Sequence, residues 1–318
     1  MMLQEQKARF EAQRGEKIYD SAVLTFHGVP GWDVYNCSVP FQWNGKEVIF
    51  GRVERRGEWA NSWVALFEQT GCDEYTRVAD FRTLQLEDPF ISVIHGEMVL
   101  GGTHVRKRSG EIDTYYGYFY RGKDLNELTY FTTGPNYMKD IRLVEMPDGR
   151  IGVFSRPRNE QIEKLYGSAA VVGFTVINNL NELTDEVILN APPIPELFGK
   201  GEWGGCNQPI MLQNGHIGVI SHHSFSQDTE SGVRLSVYMN TAFEFDPVSF
   251  TVTTPRIIGT RDCYPAGPAK RPDLTDCTFT SGIVLRADGK ADLYGGIGDV
   301  GEGRIAIDYP FSAPPVGR

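Results

Sequence analysis

The chain has 318 residues, with 31 Lys and Arg against 41 Asp and Glu, a formal charge of −10. An acidic chain lacks the basic face that general nucleic-acid binding needs, and 41% hydrophobic with 23% charged residues is a globular composition, not a disordered one. Five cysteines, an odd number with no CxxC pair, argue against a disulfide framework and against a structural zinc site.

The first twenty residues, MMLQEQKARFEAQRGEKIYD, contain no apolar h-region, and no run in the chain approaches the ~18 apolar residues of a membrane span. The expectation is a soluble, cytoplasmic protein with neither a membrane nor a nucleic-acid partner. Long helical periodicity occurs only at about residues 3–14. Gln4, Lys7, Arg9, Glu11 and Arg14 make that helix mostly polar, so it reads as a solvated helix or as a contact in a homo-oligomer. Beyond it, 35 Gly, 18 Pro, 18 Phe, 14 Tyr and 5 Trp point to β structure with many turns.

One segment type then recurs five times: a polar or small residue, an apolar strand, a Gly-containing turn and a second apolar strand. The copies start at Asn36, Glu87, Lys139, Cys206 and Asp276. Their turns are Asn44-Gly45, His95-Gly96, Asp148-Gly149, Asn214-Gly215 and Asp288-Gly289, spaced by 51, 53, 66 and 74 residues. Four of the five are NG or DG, which suit a type I′ hairpin because both central residues need positive φ. Further β-prone strings follow each hairpin, about four short strands per repeat. A pair of β-sandwiches does not need five matched hairpins. The expected fold is all-β: a five-bladed β-propeller over residues 21–318, preceded by a short N-terminal helical extension at residues 1–20. In such a fold the innermost strands line a central funnel, and residues opening them converge on one end of its axis. That places Asn36, Asp88, Asp140, Asn207 and Asp276 among the candidate site residues.

The motifs within these repeats resemble glycoside hydrolase family 130, five-bladed propellers that cleave mannosides by phosphorolysis or hydrolysis. The resemblance covers all five blades in order. It rests on Asn44-Gly45-Lys46 leading to Gly51-Arg52-Val53-Glu54, on Glu87-Asp88-Pro89, and on Lys139-Asp140 leading to Ser155-Arg156-Pro157. It continues through Gly204-Gly205-Cys206-Asn207-Gln208-Pro209, Ser221-His222 and the last strand from Tyr294 to Asp299. Phe90 stands where the family has an Arg after EDP, and Ser155 where it has the His of HRP, which marks a divergent branch.

The resemblance implies an inverting carbohydrate-active enzyme whose general acid is Asp88. Glycoside cleavage needs a proton donor for the leaving oxygen and a group that attacks the anomeric carbon. In a phosphorylase, inorganic phosphate as co-substrate replaces base and water, and cations replace the second carboxylate. Asp140 is the second catalytic candidate, as a sugar-hydroxyl acceptor or second carboxylate. Glu87 is a neighbouring carboxylate able to raise the proton affinity of Asp88. Glu54 is read as a ligand of the sugar or as part of a charge ladder, Asp299 as a funnel carboxylate after Gly298, and Asp33 as a hydrolytic base. Arg52, Lys139, Arg142, Arg156 and Arg158 form the anion-binding set, with Arg suited to bidentate contacts. His104 and His222 end inner hairpins and are candidates for phosphate or a sugar hydroxyl. Trp32, Trp59, Trp63 and Trp203 are candidate stacking surfaces for sugar rings; Cys206 and Cys277 read as buried fillers. No ligand spacing demands a metal, and no cofactor motif occurs. The expected partner is an oligosaccharide. Two alternatives stay open: an arabinofuranosidase-type glycosidase using Asp33, Asp88 and Asp140, and a sugar-binding propeller without turnover.

Overall fold

The computed structural model describes residues 3–168 and 170–317. Its strands form five sheets, and the architecture is the expected five-bladed β-propeller with a short N-terminal helix. The first blade is built on Lys46–Glu54, flanked by Asp33–Tyr35 and Phe41–Trp43 on one side and by Trp63–Gly71 on the other. The second contains Glu87–Ile94, Glu97–Arg108, Glu111–Gly122 and Thr129–Thr133. The third has three strands, Arg142–Glu145, Ile151–Ser155 and Gly173–Ile177, and the chain then enters helix Asp185–Leu189 in place of a fourth. That helix and Glu160–Tyr166 are five and seven residues long, too short to show a period, although Thr184 and Asn159 cap them with side-chain oxygens. The fourth blade orders Glu202–Met211, Ile217–Asp228, Arg234–Asp246 and Thr251–Val252. The fifth orders Thr278–Leu285, Lys290–Ile297 and Gly301–Asp308, and Asp20–Val23 from the N-terminal region completes it, pairing antiparallel with Gly301–Asp308.

Backbone contacts group the chain into two compact units. One comprises Met1–Asp88, His222–Thr241 and Arg256–Pro310; the other comprises Pro89–Ser221, Ala242–Pro255 and Phe311–Arg318. In the first, Val34, Ile49, Val53, Ala65, Phe67 and Tyr75 form a core under the first blade. In the second, Phe90, Ile94, Phe119, Ile141 and Val153 form one core, and Phe154, Phe174, Val219 and Phe245 another. The polar N-terminal helix, Leu3–Ala12, is docked and not freely solvated. Leu3 and Phe10 are buried, Leu3 packs with Phe225, Val237 and Met239, and Lys7 pairs with Asp276 at 2.9 Å. Among the described residues no helix is long and apolar enough to cross a membrane.

The five turns fall into two kinds. Both central residues have positive φ only at Asn44-Gly45 and at His95-Gly96, the one pair that is neither NG nor DG. At 148–149, 214–215 and 288–289 only the glycine does. There the Asp or Asn side chain bends back instead, accepting from the main-chain N–H two residues on: Arg150, His216 and Lys290, each at 3.0 Å. The Asx turn replaces the second left-handed residue.

Closure of the fifth blade buries a carboxyl group. Glu302 is 0% exposed; its Oε1 accepts from Ser281 Oγ at 2.6 Å and its Oε2 from the Cys37 main-chain N–H at 3.1 Å. Burial pushes its pKa up to about 7, with Ser281, Cys37 and the Asn36 main chain pulling the other way. A folded-state value above the ordinary 4.5 means the folded protein holds this proton more tightly than the unfolded chain. The resulting stability is complete below about pH 4.5 and lost as pH rises through 7. At about 1.4 kcal/mol per tenfold change in proton affinity, the loss is roughly 3 kcal/mol. Urea unfolding of wild type and Glu302→Gln at pH 5 and pH 8 should show the variant gaining relative to wild type at the higher pH. A pH-independent difference would contradict the assignment.

Candidate functional site

In the first unit the charged residues singled out by the sequence gather around one guanidinium. Arg52 lies on the long inner strand of the first blade and is buried. Its Nη1 donates to Asp88 Oδ1 at 2.9 Å, its Nη2 to Glu87 Oε1 at 3.0 Å, and its Nε to Ser62 Oγ at 2.8 Å. Its Nη2 also stands 3.5 Å from Glu54 Oε2, and its guanidinium lies over the Tyr35 ring at 4.7 Å. Burial opposes its charge, but the surrounding carboxylates hold its pKa far above the usual arginine value. Asn36 donates through Nδ2 to the same Asp88 oxygen, Oδ1, at 3.0 Å.

Glu54 anchors the set. It is 0% exposed, and its Oε1 accepts from the Asn61 main-chain N–H at 2.7 Å. Its Oε2 accepts from Tyr35 OH at 2.6 Å and from Lys270 Nζ. Burial alone would raise its pKa, yet Arg52, Lys270, Tyr35 and Asn61 together hold it below the usual glutamate range. With its oxygens turned onto four donors, Glu54 serves to fix Arg52, Tyr35 and the 55–62 loop. Lys270, Tyr35, Asn61 and Ser62 were not singled out by sequence. Lys270 sits in a Pro-rich loop without strand periodicity, so nothing linked it to residue 54. Asp299 completes the electrostatic surroundings, acting on both Arg52 and Tyr35. Two cations, Arg52 and Lys270, thus face four carboxylates, Glu54, Glu87, Asp88 and Asp299.

Other candidates of the first unit have different partners. Asp33 forms a bidentate pair with Arg56, at 2.5 and 2.8 Å. Asp276 is held by Lys7 of the N-terminal helix; burial raises its pKa and Lys7 opposes that. His222 is buried between the rings of Tyr238 and Phe279, at 5.6 and 5.0 Å. Trp59 is 50% exposed, with Arg271 over its ring at 4.5 Å, whereas Trp32 and Trp63 pack edge to face on each other.

In the second unit, Asp140 Oδ2 accepts from Arg156 Nη1 at 2.7 Å, and Arg156 Nε donates to the Gly204 carbonyl at 2.6 Å. Arg142 Nε donates to the Asn207 carbonyl at 2.8 Å, and its guanidinium lies over the Phe90 ring at 4.3 Å. Phe90 therefore carries a guanidinium on its face, a contact worth about 0.5–2 kcal/mol. The ring is also packed against Gly101, where a Cβ would lie 2.3 Å from it. Arg158 Nη1 donates to Tyr115 OH, His104 packs on Tyr116 and Tyr118, and Lys139 is half-buried beside Asp140. Ser155 Oγ is buried beneath Gly173. Cys206 and Cys277 are fully buried, and burial pushes both thiols up, which removes them as nucleophiles at neutral pH. Among the described residues no group of three or more His, Cys, Asp or Glu is placed to hold a metal ion.

One backbone feature links the candidates. Asn36, Asp88, Asp140 and Asp299 all have left-handed φ, at 48°, 49°, 59° and 57°. Asn and Asp are the non-glycine residues that best tolerate this region, and strain of this sort collects at functional positions. Asn36, Asp88 and Asp140 stand near the start of the first, second and third repeats, whereas Asp299 lies in the turn between Lys290–Ile297 and Gly301–Asp308. Lys270→Met removes one of the two cations while keeping the aliphatic stem. Leaving Glu54 short of a partner in a buried pair should cost about 3–5 kcal/mol, measurable as a lower urea midpoint; a midpoint within about 0.5 kcal/mol of wild type would contradict the anchoring role.

Comparison with known proteins adds the following. A family model described as "Protein of unknown function (DUF1861)" matches residues 9–313. A mannose phosphorylase from Leishmania mexicana, solved in complex with phosphate ion, is 51% identical over 99% of this chain and 96% of that one, with a TM-score of 0.93. A GDP-Man-dependent mannosyltransferase from the same organism is 46% identical over 99% of this chain and 98% of that one, with a TM-score of 0.91. A glycoside hydrolase structure from Parabacteroides distasonis, described there as putative, shares the fold at 15% identity, with a TM-score of 0.58 over 88% of each chain. No curated protein matches the sequence. The chain belongs to the protein family described as DUF1861.

Proposed function

We propose that this protein is a carbohydrate-active enzyme that cleaves or forms a mannosidic bond with inversion, by phosphorolysis, with Asp88 as the proton-transferring carboxylate. The observation that carries this reading is the 51% identity, over nearly the full length of both chains, to a mannose phosphorylase with phosphate bound. The motif likeness to glycoside hydrolase family 130 points the same way. In this reading a phosphate oxygen attacks the anomeric carbon while the glycosidic C–O bond breaks. A proton from Asp88 passes to the leaving oxygen, directly or through a substrate hydroxyl. The product is a sugar 1-phosphate of inverted configuration.

The chemistry of the first unit supports that role for Asp88. Asp88 is 3% exposed and its Oδ1 accepts from both Arg52 and Asn36, which supplies the positioning that proton transfer needs. Arg52 directs its donors at Asp88, Glu87 and Ser62, so the phosphate site is proposed elsewhere. Arg156, beside Asp140, is the residue proposed for anion recognition, with Arg142 and Lys139. Asp140 is proposed as a sugar-hydroxyl acceptor.

A second reading is mannosyl transfer from a sugar nucleotide. It is favoured by the 46% identity to the GDP-Man-dependent mannosyltransferase. The two separate on the donor. Manno-oligosaccharides incubated with inorganic phosphate should release mannose 1-phosphate, and mannose 1-phosphate with an acceptor should extend it. Products formed only from GDP-mannose would select the transferase. Free mannose released without phosphate would select hydrolysis. Asp88→Asn should reduce turnover at least 100-fold with the fold retained; full activity in that variant would remove Asp88 from the mechanism.

A further inference from the structure

Glu302 is a buried carboxyl group that the proposed chemistry does not use. Its contacts lead back to Asp88. It sits on the last strand of the fifth blade, between Gly301 and Gly303, and Gly303 is packed so closely on the Tyr264 ring that a Cβ would lie 2.4 Å from it. From there Glu302 Oε2 accepts from the Cys37 main-chain N–H at 3.1 Å, and the Asn36 main chain also hydrogen-bonds to it. Those two residues form the turn whose first member, Asn36, is left-handed at φ 48° and donates to Asp88 at 3.0 Å. Asn36 is seated on Gly296, where any Cβ would fall 1.8 Å from its Oδ1.

We propose that Glu302 is a positioning residue for Asp88, acting through the strained Asn36-Cys37 turn. An L-residue in the left-handed region holds that conformation only when its surroundings over-determine it. Here one carboxylate gathers the main-chain donors of the turn and the Ser281 hydroxyl, and Gly296 leaves the space that the Asn36 side chain fills. The groups that hydrogen-bond Glu302 are placed as donors to it: the Ser281 hydroxyl and the main-chain N–H groups of the turn. The ionised carboxylate accepts from all of them, whereas the protonated acid brings an O–H, so either the Ser281 hydroxyl reverses its bond or a main-chain N–H of the turn loses its acceptor. Ionisation of Glu302 is therefore coupled to the placement of the Asn36 amide on Asp88. The titratable groups facing Glu302 are the Cys37 thiol from the first blade and the Tyr264 phenol from the segment before the fifth. Burial pushes both well above their usual range, so both are neutral near pH 7 and Glu302 is the group that changes charge there.

The inference rests on the reading of Asp88 as the proton-transferring group, and its test separates the two. In protein labelled with ¹⁵N-asparagine, the side-chain amide signals of Asn36, assigned by their loss in Asn36→Ser, should move with a midpoint near pH 7. In Glu302→Gln they should be invariant from pH 6 to 8, and Glu302→Asp should restore a titration. No movement in wild type, or the same midpoint in Glu302→Gln, would overturn the coupling. If Glu302→Gln does not fold, the wild-type titration and Glu302→Asp decide. Where phosphorolysis is detected, Glu302→Gln should lower kcat roughly tenfold to a hundredfold, leave KM within about twofold, and lose the wild-type pH dependence around 7. A raised KM with unchanged kcat would contradict a positioning role. Absence of turnover in wild type would count against the functional reading, while the amide titration still decides the coupling.

Discussion

The first unit depends on a buried guanidinium shared among carboxylates that would otherwise repel one another. Arg52 contacts Glu54, Glu87 and Asp88 from one side chain, and Lys270 is the second cation of the set. Buried charges are tolerated only when paired and hydrogen-bonded. That condition accounts for the neighbours. Ser62 takes the remaining Arg52 Nε, Tyr35 and the Asn61 main chain complete Glu54, and Asn36 completes Asp88. The same arrangement fixes Asp88 in place, through the oxygen that Arg52 and Asn36 share.

The repeat supplies the scaffold for this chemistry at the level of the backbone. Left-handed Asn or Asp residues recur in the first, second, third and fifth blades. Each sits where a candidate side chain is required, and each needs tight packing to persist. At Asn36 the packing is visible: Gly296 beneath the side chain and Glu302 behind the main chain. In the second unit the Arg156–Asp140 pair and the Arg142–Phe90 stack show the same economy, with each guanidinium also bound to a main-chain carbonyl.

Much of this was legible in the sequence because hairpin turns are local. Five glycine turns at similar spacing gave the blade count, and Arg52, Glu54, Glu87 and Asp88 were singled out from two short motifs. What escaped was non-local or too short to leave a period. Lys270 reaches residue 54 from a loop 216 positions away, and Glu302 reaches Cys37 across 265 positions. Helices of five and seven residues in and after the third blade carry no periodic signal. The polar N-terminal helix reads as solvated or as a subunit contact because only Leu3 and Phe10 of its ten residues are buried, and its Lys7–Asp276 pair is non-local. Turn type was misassigned at three positions for a related reason. An Asx side chain that bonds the main chain two residues on gives a different loop from the same dipeptide.

The central claim is that Arg52 and Asp88 act as one energetic unit. A double-mutant cycle on unfolding free energy, using Arg52→Gln, Asp88→Asn and the double variant, tests it directly. Shared burial of opposite charges requires the double variant to be more stable than the sum of the single losses allows, with a coupling of about 1–3 kcal/mol. Additive losses, with a coupling below about 0.5 kcal/mol, would show that the two side chains are neighbours without being partners.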